Sequence, residues 1–222
     1  MIINSHYKSK PDNMKRLLTF LFLLLILFSC KNKAPRVLLY IEGNSSDLAY
    51  MLENEAGRMT EILEEAGYVV KTATTDGEVL KTDSVTLKPD FMLKEVNTAD
   101  YAGLIMPCMA AQDSIVTDEE IALVKKFVYE GKPVAASTGA VFILGKAGEL
   151  TGRKFAFIDE TENNASMYHC FRTAEFSGRG VVKDGNIITS GTCPMMAKTM
   201  GHKDGTDELT TLFIETIKSK TR

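Results

Sequence analysis

The sequence predicts an α/β fold built on a largely parallel sheet, and three observations support this fold class. Strands are predicted at 36–41, 68–73, 101–107 and 133–136, and the continuous apolar run within the first of them is typical of a strand buried on both faces. Segments with helical periodicity lie between and after these strands. The alternation of strands and helices favours a three-layer sandwich, in which helices cover both faces of the sheet.

Four helices are predicted, at 47–66, 117–129, 140–147 and 207–218. The first has a series of mostly apolar residues, with Glu55 among them, spaced at about 3.6 residues per turn, and it ends at Gly67. The second begins at Thr117, whose side chain can cap the helix while Glu120 returns a hydrogen bond to the Thr117 backbone. Gly131 closes this helix and leads into the next strand.

Extended segments account for the rest of the predicted domain. Short strands are expected around Val79 and Val85 and at 91–96, and a further strand at 152–158. The segment 180–190 places Asp184-Gly185 between two apolar runs, which is the pattern of a β-hairpin. We expect this hairpin to be an antiparallel addition to the sheet.

The first 30 residues have the pattern of an export signal. Lys15 and Arg16 precede an apolar run at 17–28, which is too short to span a bilayer and is typical of a signal peptide. The run ends in Leu27-Phe28-Ser29-Cys30, which resembles the bacterial lipobox, in which the cysteine is lipidated and becomes the mature N-terminus. The alternative interpretation is an uncleaved N-terminal anchor.

These features divide the chain into a signal peptide with its lipobox at 1–30, a tether at 31–35 and one domain at 36–222. Met14 precedes the basic residues directly, so residues 1–13 are interpreted as an upstream extension that is not translated. Lipidation of Cys30 would attach the domain to a membrane of the bacterial cell envelope, facing the periplasm. Lys31 stands where Asp would favour retention in the inner membrane, so the outer membrane is favoured.

Composition narrows the classes of partner. Acidic residues outnumber basic ones, 29 to 26, and no run of Lys and Arg stands out, so we expect no nucleic-acid partner. Cys108, Cys170 and Cys193 form no C-x-x-C pair, and no histidine stands at metal-ligand spacing from them, so no metal and no cofactor are predicted. One disulfide and one free thiol remain open for these three cysteines.

A sharp turn between a strand and a helix is the main candidate site. The strand 133–136 is followed by Ser137-Thr138-Gly139 and then by a helix, which is the geometry of a nucleophile elbow. Ala135 and Gly139 supply small residues on either side of Ser137. The alternative is an ordinary strand-to-helix connection in which a hydroxyl side chain caps the helix. Because the carboxyl ends of parallel strands meet at one edge, we expect Glu42, Pro107-Cys108-Met109 and Ser137 to lie close together.

Several segments resemble the ThiJ/PfpI family of class I glutamine amidotransferase-like proteins. Residues 100–107, Asp-Tyr-Ala-Gly-Leu-Ile-Met-Pro, are similar to the family's D-Y-D-x-(apolar)-(apolar)-P-G-G, and residues 183–190 match its K-D-G-N-(L/I)-I-T-S hairpin. The resemblance covers nearly all of 36–217. It implies a flavodoxin-like sandwich, often dimeric. Family members include peptidases, glyoxalase-like and deglycase-like enzymes, chaperones and inactive homologues.

The chain departs from the family pattern at the site itself. The resemblance places Ser137 where the family has the nucleophilic Cys of A-x-C-x-G, and Thr138 where many members have His. Cys108 and Met109 stand in place of a Gly-Gly pair. The resemblance also matches Glu42 to the acidic residue that the family places beneath its nucleophile.

Two functional hypotheses follow. In the first, the protein is a hydrolase or glyoxalase-like enzyme with Ser137 as nucleophile and Glu42 or His169 as base. The N–H groups of Thr138 and Met109, beside Cys108, would then stabilise the oxyanion. His202 is a weaker alternative base, and the Cys108 thiol is an alternative nucleophile.

In the second hypothesis the domain is a catalytically degenerate family member. It keeps the elbow pocket for a small-molecule ligand, or its surface for a partner, which could be a second copy in a homodimer. The combined loss of the Cys, the neighbouring His and the Gly-Gly pair favours this hypothesis, because all three changes fall on one site.

Overall fold

A computed structural model describes residues 34–43, 47–110, 115–158 and 168–220. The predicted signal peptide and Cys30 lie outside the described residues, so the division at 1–30, 31–35 and 36–222 stays a prediction. Within the described ranges, no helix is both long enough and apolar enough to cross a membrane.

The main sheet of the described chain has seven strands, and all neighbouring pairs but one are parallel. Their order across the sheet is β10-β11-β7-β6-β1-β2-β5. The bounds are β1 Arg36–Tyr40, β2 Val69–Thr74, β5 Phe91–Met92, β6 Leu104–Met106, β7 Val134–Ser137, β10 Val181–Asp184 and β11 Ile187–Ser190. The antiparallel pair is β10 with β11, so the predicted parallel sheet and its hairpin addition are confirmed.

The helices cover both faces of this sheet. The bounds are α1 Leu48–Met51, α2 Gly57–Glu65, α3 Asp118–Tyr129, α4 Val141–Lys146, α5 Pro194–Met200 and α6 Thr206–Lys220. Alternate residues of β1 point to opposite layers, as the two-residue period of a strand requires. Leu38 packs in the core that includes Phe127 of α3, whereas Leu39 packs in the core that includes Leu63 of α2 and Phe213 of α6. The predicted three-layer sandwich is confirmed.

Several local predictions need correction. The helix predicted at 47–66 is interrupted by a π-helical turn, Leu52–Ala56, between α1 and α2. The strand predicted at 152–158 is only β8, Lys154–Phe155, which pairs with β9, Glu175–Phe176, outside the main sheet. The segment predicted at 91–96 changes after β5 into a 3₁₀ turn, Leu93–Glu95. Short strands near Val79 and Val85 are present as the separate pair β3, Leu80–Lys81, and β4, Thr86–Leu87.

The predicted capping of the second helix is confirmed. Thr117 Oγ1 accepts a hydrogen bond from the Glu120 N–H at 3.3 Å, and Glu120 Oε2 accepts one from the Thr117 N–H at 2.6 Å. Glu120 also accepts a hydrogen bond from the buried hydroxyl of Tyr40 at 2.8 Å. The helix start is therefore joined to the centre of the sheet.

Candidate functional site

The strained residue of the strand-to-helix turn is Thr138. Ser137 is extended, with φ −104° and ψ 132°, and it pairs with Ser190 of β11 as the last residue of β7. Thr138 has φ 39°, the one positive φ at a non-glycine residue in the described part of the chain. A positive φ is unfavourable for a β-branched residue and costs on the order of 1–3 kcal/mol. The nucleophile of an elbow occupies this strained position, so the geometry assigns the elbow to Thr138 and corrects the expectation for Ser137.

The turn buries hydroxyl groups without satisfying them. Ser137 and Thr138 are 1% and 2% exposed. Among the described residues, three buried side-chain atoms have no hydrogen-bond partner, and they are Ser137 Oγ, Thr138 Oγ1 and Glu55 Oε1. Each such group costs about 1–3 kcal/mol of desolvation. Unsatisfied buried groups are rare in native proteins, so their concentration at one turn marks it as a functional candidate.

Glu55 is the acidic residue beneath the turn. It lies on the π-helical turn Leu52–Ala56, a distortion that often occurs at functional sites. Its side chain is fully buried, and Oε2 accepts a hydrogen bond from the Cys108 N–H at 2.9 Å. Burial raises the pKa of Glu55 well above its ordinary value, and the negative charge available to Cys193 raises it further. The Ser137 hydroxyl lowers this pKa, although its contact with Glu55 falls short of regular hydrogen-bond geometry. Burial therefore favours the neutral form of Glu55 and makes its carboxylate harder to form.

Two thiols flank the same turn. Cys108 begins the 3₁₀ turn Cys108–Ala110 that follows β6, and Cys193 directly precedes α5. A hydrogen bond from Cys108 lowers the pKa of the Cys193 thiol to about 6, and the N–H groups of Met196 and Met195 and the Thr138 hydroxyl act in the same direction. The same contact, together with burial and Glu55, raises the pKa of Cys108 well above its ordinary value. Cys108 therefore stays protonated, and its S–H donates a hydrogen bond to the Cys193 thiolate.

Glu42 lies in a different cluster of polar side chains. Its Oε2 accepts hydrogen bonds from Tyr40 at 3.4 Å and Thr75 at 3.3 Å. Burial raises the pKa of Glu42, and the nearby Glu120 raises it further. The Glu42 N–H donates to the Met109 carbonyl at 3.2 Å, so its backbone does lie at the expected edge of the sheet. Its side chain contacts Tyr40 and Thr75, whereas Glu55 interacts with the elbow.

The two histidines of the described domain lie in other surroundings. His169 is exposed and begins the 3₁₀ turn His169–Phe171. His202 contacts the guanidinium of Arg179. Of the proposed oxyanion donors, the Cys108 N–H already donates to Glu55 and is not free for a ligand. Met109 and Thr138 are both buried next to the turn.

The sequence contained signals for the two site residues that the predictions missed. Glu55 falls on the apolar stripe of the predicted first helix, where a carboxyl group is out of place unless it has a partner or a function. Cys193 precedes Pro194, and proline is favoured at the first position of a helix. A helix at 194–200 would have placed Cys193 at its N-cap, beyond the carboxyl end of the hairpin strand.

The fold and the site together define an α/β protein with a strained strand-to-helix turn at the carboxyl edge of its sheet. The family model of the DJ-1/PfpI family matches residues 36–200, and the chain belongs to this family. An uncharacterized protein of Archaeoglobus fulgidus is 31% identical over 131 residues, which cover 58% of this chain and 75% of the relative. The protein named deglycase PfpI of Pyrococcus furiosus is 31% identical over 133 residues, which cover 58% of this chain and 76% of the relative.

Solved structures agree on the fold. A ThiJ/PfpI domain protein from Brachyspira murdochii has a TM-score of 0.62 at 20% identity, with 85% of this chain and 99% of that chain covered. Drosophila melanogaster DJ-1beta has a TM-score of 0.56 at 18% identity, with 85% and 98% covered. The resemblance to the ThiJ/PfpI family and its flavodoxin-like sandwich is thereby confirmed.

Proposed function

We propose that this protein is a DJ-1/PfpI domain tethered to the periplasmic side of a bacterial envelope membrane, where it binds a small carbonyl or carboxylate compound without using an elbow hydroxyl as nucleophile. The observation that carries the proposal is the strain and the burial of the residues in the strand-to-helix turn. The strained residue is Thr138, its hydroxyl is buried, and burial raises the pKa of the nearby acid Glu55 well above its ordinary value.

A hydroxyl nucleophile needs a base within hydrogen-bond reach. The contacts of Ser137 and Thr138 supply a carboxyl group whose neutral form is favoured by burial, the protonated Cys108 thiol, and the Cys193 thiolate. The charge of that thiolate is already stabilised by Cys108 and by the Met195 and Met196 N–H groups, which makes it a weak base for a hydroxyl. His169 is exposed, and His202 contacts Arg179 instead. This arrangement speaks against the hydrolase hypothesis with Ser137, and it supports the degenerate one.

The ligand class rests on the unsatisfied groups and on the relatives. Ser137, Thr138 and the protonated form of Glu55, which burial favours, each have an O–H that can donate a hydrogen bond to the oxygen of a ligand. Relatives that are 31% and 30% identical over the matched region are named deglycases. A small carbonyl or carboxylate compound satisfies both observations.

Activity and binding can be tested separately on the full chain in mild detergent. With methylglyoxal as substrate, we expect no lactate above the level of a Ser137→Ala/Thr138→Val double variant, and no labelling of Ser137 or Thr138 by a fluorophosphonate. With lactate as a non-reactive probe, we expect a saturable rise in the unfolding temperature that Glu55→Gln weakens. Turnover that Ser137→Ala or Thr138→Val abolishes would overturn the first part. A flat response to lactate would overturn the second.

The tether rests on the segment 17–30, where an apolar run ends in the lipobox-like Leu27-Phe28-Ser29-Cys30. In bacterial cells we expect a labelled fatty acid to be incorporated into the wild-type chain and into Cys170→Ala, but not into Cys30→Ala. Density-gradient separation should place the wild type in the outer-membrane fraction. A Cys30→Ala chain that stays in the membrane fraction would favour the uncleaved anchor instead. Association with a second copy is a further proposal, to be measured by sedimentation.

A further inference from the structure

The sheet topology brings two distant cysteines to one place. In the order β11-β7-β6 the three strands are parallel, so their carboxyl ends lie at the same edge. β7 ends in the elbow, Cys108 follows β6 closely, and Cys193 follows β11 closely. Cys193 and Cys108 pack in the same part of the core. The Thr138 hydroxyl lies near enough to lower the pKa of both thiols, although it makes no regular hydrogen bond.

The surroundings of the pair give its two members different roles. Cys193 receives a hydrogen bond from Cys108 and from backbone N–H groups at the start of α5, so it holds the negative charge. Cys108 lies beside Glu55 and its own N–H donates to that side chain, so it stays protonated. Both are free thiols in this structure. The same cluster contains buried Glu55, Ser137 and Thr138 atoms without hydrogen-bond partners, and such groups are rare in native proteins.

We propose that Cys108 and Cys193 form a redox-active dithiol that reduces a small hydroperoxide, with Cys193 as the attacking thiolate and Cys108 as the resolving thiol. The proposal does not depend on the ligand or the tether described above, because it concerns the thiols alone.

The reaction balances in two steps. The Cys193 thiolate attacks the terminal oxygen of the hydroperoxide, the O–O bond breaks, and the leaving alkoxide takes a proton from solvent, which yields an alcohol and the Cys193 sulfenic acid. The Cys108 thiol then attacks the Cys193 sulfur, the S–O bond breaks, and water leaves with the thiol proton. The two thiols are oxidised to one disulfide, and the peroxide oxygen is reduced.

Burial selects the size of the oxidant. Cys193 is 1% exposed and Cys108 is half-buried, so neither sulfur is fully open to a bulky oxidant. Hydrogen peroxide is much smaller than oxidised glutathione and needs less space to reach a buried sulfur. We therefore expect oxidised glutathione to react far more slowly with this pair than hydrogen peroxide.

The experiment uses the full chain, reduced and freed of reductant, with one equivalent of hydrogen peroxide. We expect the intact chain to become lighter by two hydrogen atoms, a non-reducing peptide map to link Cys108 with Cys193, and dithiothreitol to reverse the change. Cys108→Ser should stop at a sulfenic acid on Cys193 that dimedone captures. Cys193→Ser should react at least about tenfold more slowly, because the remaining thiols are protonated at neutral pH. Cys170→Ser is the matched control and should form the disulfide at the wild-type rate.

A second measurement needs no variant. Iodoacetamide alkylation of the wild type across pH, with each cysteine quantified by peptide mapping, should show a midpoint near pH 6 for Cys193. Cys170 in the same sample should have its midpoint above 9.0, because burial raises the pKa of its thiol. A disulfide that includes Cys170, a Cys193→Ser chain that reacts as fast as the wild type, or equal midpoints for Cys170 and Cys193 would each overturn the proposal.

Discussion

Replacing Thr138 with glycine should stabilise the protein, whereas the same replacement at Ser137 should destabilise it. Thr138 has φ 39°, a conformation that costs a β-branched residue on the order of 1–3 kcal/mol and that glycine adopts freely. Its buried hydroxyl also has no hydrogen-bond partner, so its removal leaves no orphaned group behind. Ser137 has φ −104° and ψ 132°, so glycine there relieves no strain.

The two effects can be given magnitudes. Glycine costs about 0.5–1 kcal/mol at either position, because it loses more backbone freedom on folding than other residues. At Thr138 the relief of strain exceeds that cost, and we expect a net gain of about 1 kcal/mol in the free energy of unfolding. At Ser137 we expect a loss of about 1 kcal/mol. The difference between the variants is therefore about 2 kcal/mol, or about 1 M in the urea midpoint at a slope of about 2 kcal/mol per M.

Urea unfolding followed by circular dichroism measures both midpoints under identical conditions. Thr138→Val is the matched control, because it removes the hydroxyl and keeps the strained backbone. We expect its stability to lie below that of Thr138→Gly. If Thr138→Gly loses as much stability as Ser137→Gly, the strain is absent and the elbow is wrongly assigned to Thr138.

Three further changes test the buried polar groups and the packing of the sheet. Glu55→Gln should flatten the pH dependence of stability in urea unfolding. Because the native pKa of Glu55 is raised, its contribution to stability is complete below the ordinary pKa of 4.5 and is lost as the pH rises through the native pKa. If the variant and the wild type show the same dependence of stability on pH, the native pKa of Glu55 is not raised. Tyr40→Phe should cost about 1–3 kcal/mol, because Glu120 loses its buried donor at 2.8 Å, and a neutral result would mean that another group replaces that donor. Gly103→Ala should cost about 1–3 kcal/mol in thermal unfolding, because its Cβ would lie 2.7 Å from the Phe213 ring and 2.9 Å from the Pro133 carbonyl; a wild-type melting temperature would contradict this packing.

The candidate site was only partly predictable. The turn itself was found from its small residues, and the edge of the sheet that carries it was found from the strand order. The sequence did not predict which residue of the turn is strained. Ser137 is the last residue of β7 because it pairs with Ser190 of β11, and the turn therefore begins at Thr138. The strained position is therefore one residue beyond the predicted one, and the acid near the turn is Glu55 and not Glu42. The position of Glu55 on the apolar stripe of its helix was a signal for its burial, whereas the π-helical turn that carries it was not predicted.

The sequence by itself determined the layers of this protein. Buried strands appear as continuous apolar runs, amphipathic helices appear at their own period, and the Thr117–Glu120 cap and the Asp184-Gly185 turn are local chemistry that acts within a few residues. Only the tertiary structure decided which side chains lie together at the strand-to-helix turn. Cys108 and Cys193 belong to separate connections, and only the neighbouring positions of β6, β7 and β11 bring them together. Their opposite pKa shifts arise from that contact, because the hydrogen-bond donor that stabilises the Cys193 thiolate is distant in the sequence and close to it only in the folded protein.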